Sequence, residues 1–152
     1  MNMKKLATTL LLTLASTASF ANCNIQYIAN DTLKSLIVKN KFDLNDSATY
    51  NKLCTQLQKN NAGVYFDTMN QFSPYQITTF ASVRLYNLDD DKSILTMASN
   101  SYLRYNAERT SSAADSDLYL ISMITLTDLA NDQKTLDKMF TQLKQMRATN
   151  AK

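Results

Sequence analysis

Apolar positions along this chain follow two periods, and each predicts a kind of element. From Asn24 they fall at Ile25, Ile28, Ala29, Leu33, Leu36 and Ile37, the three-and-four spacing of a helix with one buried face, which should stop near Asn40. Asn45, Asp46 and Ser47 then offer side chains that accept bonds from free backbone amides, and Tyr50, Leu53, Cys54 and Leu57 follow at helical spacing. A second helix is predicted there, ending at Ala62 and Gly63, where the chain's only glycine would supply a left-handed residue. Together the two form a helical hairpin.

After Gly63 the period changes. Residues 64–69 read as a strand and residues 70–75, which hold the only proline, as a turn. Ile77, Thr79, Ala81, Val83 and Leu85 then alternate with Thr78, Phe80, Ser82, Arg84 and Tyr86, the period of a strand with two distinct faces. Residues 87–93 are a polar connection. Residues 94–105 return as the antiparallel partner, with Leu95, Met97, Leu103 and Tyr105 on one face and a weak middle at 98–101 where the strand should bulge or break. A hydrophilic connection over 108–116 precedes an apolar helix opened by Leu118, Ile121, Ile124, Thr125 and Leu129 and continued by Leu136, Met139, Phe140 and Leu143. Asn131 and Asp132 are the place where it divides, if it divides, and residues 148–152 should fray.

The order α-α-β-β-β-α(-α) predicts an α+β domain over residues 22–147: an N-terminal helical hairpin, a three-stranded antiparallel meander, and a C-terminal helix or helix pair, with the helices over one face of the sheet. An all-α bundle is the rival reading.

The first twenty-one residues place this domain. Lys4 and Lys5, the apolar run from Leu6 to Ala15, and Ser19-Phe20-Ala21 have the order of a secretory signal peptide, so residues 1–21 are expected to be removed and the mature chain to work in the periplasm or outside the cell. No later run approaches the twenty or so apolar residues of a membrane span, so membrane insertion is not expected. The formal charge of +3 owes two units to the leader lysines. A near-neutral mature chain lacks the positive field that nucleic acid or an anionic membrane surface requires, and neither partner is expected. In an oxidising space the two cysteines, Cys23 and Cys54, are most simply one disulfide. Closing a loop of about thirty residues in this way is worth about 3 to 4 kcal/mol.

Composition removes most catalytic chemistry. There is no histidine, so the usual base for a serine or cysteine nucleophile and the usual zinc ligand are absent; with one glycine no phosphate-cradling loop can be built. No cofactor is expected. Asn87, Asp89, Asp91 and Ser93 begin a calcium loop, but Lys92 stands where its sharp turn needs glycine and Ala98 where a glutamate should close it, so a solvated turn is the better reading and no metal site is assigned. Glu108 with Asp115 or Asp117 is the only plausible carboxylate pair for acid–base work outside that turn, and a serine–lysine pair is the other route to a small hydrolase.

What remains is surface chemistry. Phe80, Arg84 and Tyr86 share the strand face opposite Ile77, Ala81, Val83 and Leu85, and Tyr102, Arg104 and Tyr105 follow in the next strand. Tyrosine and arginine dominate the energetics of protein interfaces. These six residues are the candidate protein-binding surface of a non-enzymatic exported module, of the kind that inhibits or neutralises a toxin in a bacterial envelope. A small envelope hydrolase and a component that self-assembles through a strand edge are the alternatives, and the number of chains in the assembly is left open.

Overall fold

Polar side chains that take up the first free amides decide where each helix of this protein begins. The computed structural model describes residues 23–89 and 95–150, so the predicted leader and most of the aspartate run at 89–91 lie outside the described residues. The elements are β1 (Tyr27–Ile28), α1 (Asp31–Asn40), α2 (Ser47–Lys59), β2 (Ala62–Phe72), β3 (Ile77–Asn87), β4 (Asn100–Asn106), α3 (Ser111–Asn131) and α4 (Gln133–Asn150). Each helix is preceded by a residue whose side-chain oxygen accepts from the amide three positions on: Asn30 from Leu33 at 2.8 Å, Asp46 from Thr49 at 2.6 Å, Thr110 from Ala113 at 3.1 Å and Asp132 from Thr135 at 3.0 Å.

These caps correct several boundaries. The first helix starts at Asp31, not near Asn24, because Asn30 caps it; residues 27–28 are extended and pair in parallel with Val64 and Tyr65 of β2. Ile25 and Ala29 are still buried, as their spacing predicts, but outside a helix. Thr110 starts α3 inside the stretch expected to be a connection, and Asp132 divides the C-terminal segment into two helices. The left-handed residue after α2 is Asn61, with φ 48°, and Gly63 lies in β2 instead. Residues 148–150 continue α4 rather than fraying. Arg147 anchors that end: its guanidinium donates to the carbonyls of Asn60 and Asn61, each at 2.8 Å, and to the Asn87 side chain at 2.9 Å. A cation there satisfies carbonyls just past the end of α2, where the helix dipole is negative.

The sheet has the order β1-β2-β3-β4. Three strands form the antiparallel meander, and β1 makes a fourth, parallel member that local periodicity does not reveal. All four helices lie on one side. Alternate residues of β3, from Ile77 through Thr79, Ala81, Val83 and Leu85 to Asn87, are buried beneath them. α3 is the central helix, with buried residues around most of its circumference because it touches the sheet, α1, α2 and α4. Cys23 and Cys54 are joined, with Cα atoms 6.0 Å apart, which ties the segment before β1 to the buried side of α2.

Asp46 and Asp132 are both held below the ordinary carboxyl value of 3.8, Asp46 chiefly by the Thr49 amide and Asp132 chiefly by the Thr135 hydroxyl. A carboxyl whose pKa is lower folded than unfolded stabilises above the unfolded value, and that contribution is lost as the pH falls through the folded one. We therefore expect the double variant Asp46→Asn and Asp132→Asn to show a shallower loss of stability below about pH 4 than the wild type in denaturant titrations. Superimposable acid limbs would remove these caps from the account.

Candidate binding surface

In an antiparallel sheet, residues opposite one another share a face, so the registers of the strands define rows that cross the side not covered by helices. From one end these rows are Gly63–Tyr86–Leu95, Ile28–Tyr65–Arg84, Asp67–Ser82–Ser101, Met69–Phe80–Leu103 and Gln71–Thr78–Tyr105. No helix among the described residues packs on this face. It is polar at its waist, where Ser101 donates to Ser82 at 3.1 Å, and apolar in the next row. There Met69 is 53% and Leu103 46% exposed, and Tyr105 beside them is 61% exposed.

Gly63 owes its identity to this face. A Cβ built on it would stand 2.3 Å from two carbons of the Tyr86 ring, so the ring reclines across the strand over the glycine backbone. Burial there pushes the Tyr86 phenol above its ordinary value of 10. Arg84, in the next row, has its Nε buried with no hydrogen-bond partner among the described residues. The returning strand does break, but over residues 96–99, opposite Arg84, two residues earlier than expected, and Asn100 and Ser101 already belong to β4: Thr96 bonds Leu85 through both its amide and its hydroxyl before the chain leaves β3, and the Ala98 amide donates to Gln142 of α4.

The six candidate residues are divided by the sheet. Phe80, Arg84, Tyr86 and Tyr105 lie on the open face, whereas Tyr102 and Arg104 belong to the helix side of β4 and form no surface with the others. β4 is inverted relative to the usual apolar-inward arrangement: its polar residues Asn100, Arg104 and Asn106 turn towards α3, and Leu103 and Tyr105 turn to water. Three polar ties hold it so. Asn100 donates to the Thr125 carbonyl at 2.9 Å, and Asp117, its side chain only 6% exposed, receives Arg104 Nε at 2.7 Å on one oxygen and Asn106 at 2.8 Å on the other.

Two of the carboxylates proposed for acid–base work, Asp117 and Glu108, already have partners. Asp117 is not in a solvated connection but beneath β4 with both oxygens taken, and Glu108 is exposed and accepts from Thr110. Asp89 accepts from Asn61, and residues 90–94 of the suspected calcium loop are outside the described residues. A cavity of about 570 Å³ lies away from the open face, between the α1–α2 loop and the segment before β1, and is walled by the rings of Tyr27, Phe42 and Tyr50. Its polar groups serve the chain's own backbone: Asp46 caps α2, Asp43 accepts from the Asn45 amide, and the Tyr50 hydroxyl donates to the Cys23 carbonyl. No helix among the described residues is long and apolar enough to cross a membrane. No protein family, curated protein or solved structure matches the chain.

Two outcomes follow from these contacts. Asp117→Ala leaves Arg104 and Asn106 without their acceptor; because Arg104 is half exposed and can be rehydrated, the expected cost is about 2 kcal/mol, with faster amide exchange across residues 100–106. Gly63→Ala should destabilise by at least about 1 kcal/mol by displacing the Tyr86 ring, and far less in a Tyr86→Ala background, as a double-mutant cycle by chemical denaturation will measure. Additive effects in that cycle would mean that the ring and the glycine do not interlock.

Proposed function

We propose that this is an exported binding protein that works by contact, holding a protein partner against the open face of its sheet. The observation that carries the reading is the inversion of β4. An edge strand that puts arginine and asparagine towards a helix while leaving leucine and tyrosine in water forgoes burial, and contiguous exposed apolar side chains on a folded surface mark places where another molecule docks. The row Met69–Phe80–Leu103 supplies the apolar centre, with Arg84 and Tyr65 two rows away and Tyr86 three, residue types that concentrate binding energy. The Cys23–Cys54 disulfide supports residence in an oxidising space, in keeping with the leader expected in residues 1–21. Inhibition or neutralisation of an envelope toxin is the narrower form of the same reading.

A photo-crosslinking side chain at position 69 or 103, in protein produced in its native host with its own leader, tests this. One discrete adduct is expected from each face position and none from position 138, which is exposed on α4. Equal labelling from all three positions, or no adduct from the face, overturns the reading. Among substitutions, Leu103→Ser should weaken the captured complex by about 1 to 2 kcal/mol with little change in melting temperature.

A further inference from the structure

We infer that two copies of this chain associate edge to edge through β4, antiparallel and centred on Leu103, and that the dimer is the unit that presents the complete docking face. The dimer stands on β4 alone, whereas its role as the docking unit rests on the open-face reading.

The first observation is an unguarded edge. Among the described residues β4 ends the sheet, and over Asn100–Asn106 it has no proline, glycine, lysine or bulge to stop it from pairing; its one charge, Arg104, is taken up by Asp117 on the helix side. The opposite edge is guarded: β1 covers Val64 and Tyr65, Asn30 donates to the Thr68 hydroxyl at 2.9 Å, and Asp67 carries a charge.

The second is self-complementarity. With Leu103 opposite the second copy's Leu103, the strand sequence Asn-Ser-Tyr-Leu-Arg-Tyr-Asn sets Tyr102 against the second copy's Arg104, and Arg104 against the second copy's Tyr102. A guanidinium meets an aromatic ring twice, Asn100 faces Asn106 at both ends, and no like charges are opposed. A two-fold interface requires this kind of patch, in which residue i meets j and j meets i.

The third is continuity and size. Leu103 is the middle residue of β4 and also the outer member of the apolar row, so the two-fold axis would join the rows of both copies into one band, Met69–Phe80–Leu103 and its mirror. Three strands about 4.8 Å apart over nine residues present roughly 400 Å². A standard protein interface needs about 800 Å² on each partner. One copy offers half of that, and two joined at β4 offer all of it.

The register makes the test specific. In sedimentation equilibrium the purified exported protein should show a monomer–dimer equilibrium. Leu103→Cys should yield a 103–103 disulfide under mild oxidation, identified by peptide mapping so that exchange with Cys23 or Cys54 is told apart. Ser101→Cys alone should stay unlinked, yet link to Tyr105→Cys when the two are mixed. Tyr102→Lys, which opposes two cations to Arg104, should weaken the dimer by about tenfold or more. A monomer at all concentrations with Leu103→Cys unlinked overturns the dimer, while position-specific crosslinks to a different protein would still stand for the open face. Self-linking of Ser101→Cys as readily as Leu103→Cys would also overturn it, since that outcome requires faces to stack instead of edges to pair.

Discussion

Asp117 is a buried carboxylate that receives Arg104 on one oxygen and Asn106 on the other, and this junction sets which way β4 faces. Side chains alternate along a strand, so a slip of one residue would carry Leu103 and Tyr105 to the helix side and the polar residues to water. Covering the exposed parts of those two side chains is worth about 1 kcal/mol each. Leaving a buried carboxylate and its amide neighbours unpartnered costs several kcal/mol. The polar junction therefore wins, and the apolar side of an edge strand is held in water by the buried acid beneath it.

The rest of the architecture keeps that arrangement rigid. α3 carries Asp117 and is itself enclosed by the sheet, α1, α2 and α4, so the acid stands on the most enclosed helix of the fold. Arg147 links the end of α4 to the turn after α2 and to β3, and the Cys23–Cys54 bond holds the entering chain against α2. With every described helix on one side, no helix among the described residues covers the other side of β2, β3 and β4. Gly63 and Tyr86 shape one end of it, Met69, Phe80 and Leu103 the other.

What the sequence discloses is what depends on near neighbours. The capping signal at Asn45-Asp46-Ser47 and the alternation over residues 77–86 place the start of α2 and the whole of β3 well, the predicted disulfide is present, and the returning strand breaks two residues before the expected place. The α+β class follows from them. Features set by distant partners are misread. The spacing of Ile25, Ile28 and Ala29 fits a helix, but residues 27–28 pair with β2, some thirty-five residues along. Gly63 sits near a helix end, yet the reason for a glycine is the ring of Tyr86 on the neighbouring strand. Alternation separates Tyr102 and Arg104 from Leu103 and Tyr105, but which pair faces the helices depends on Asp117 and the Thr125 carbonyl of α3, far along the chain. On the open face, Phe80, Arg84 and Tyr86 are legible from alternation alone, whereas Met69 and Leu103 need the register.

Oxidative footprinting of the methionines tests most directly whether the face displayed by the inverted strand is occupied where the protein works. Met69 lies on that face, Met97 is exposed on the excursion before β4, and Met139 is fully buried. The account predicts that Met69 is oxidised readily in the purified protein and is protected in the native compartment, with Met97 reactive and Met139 inert in both. Equal oxidation of Met69 in the two settings would contradict it.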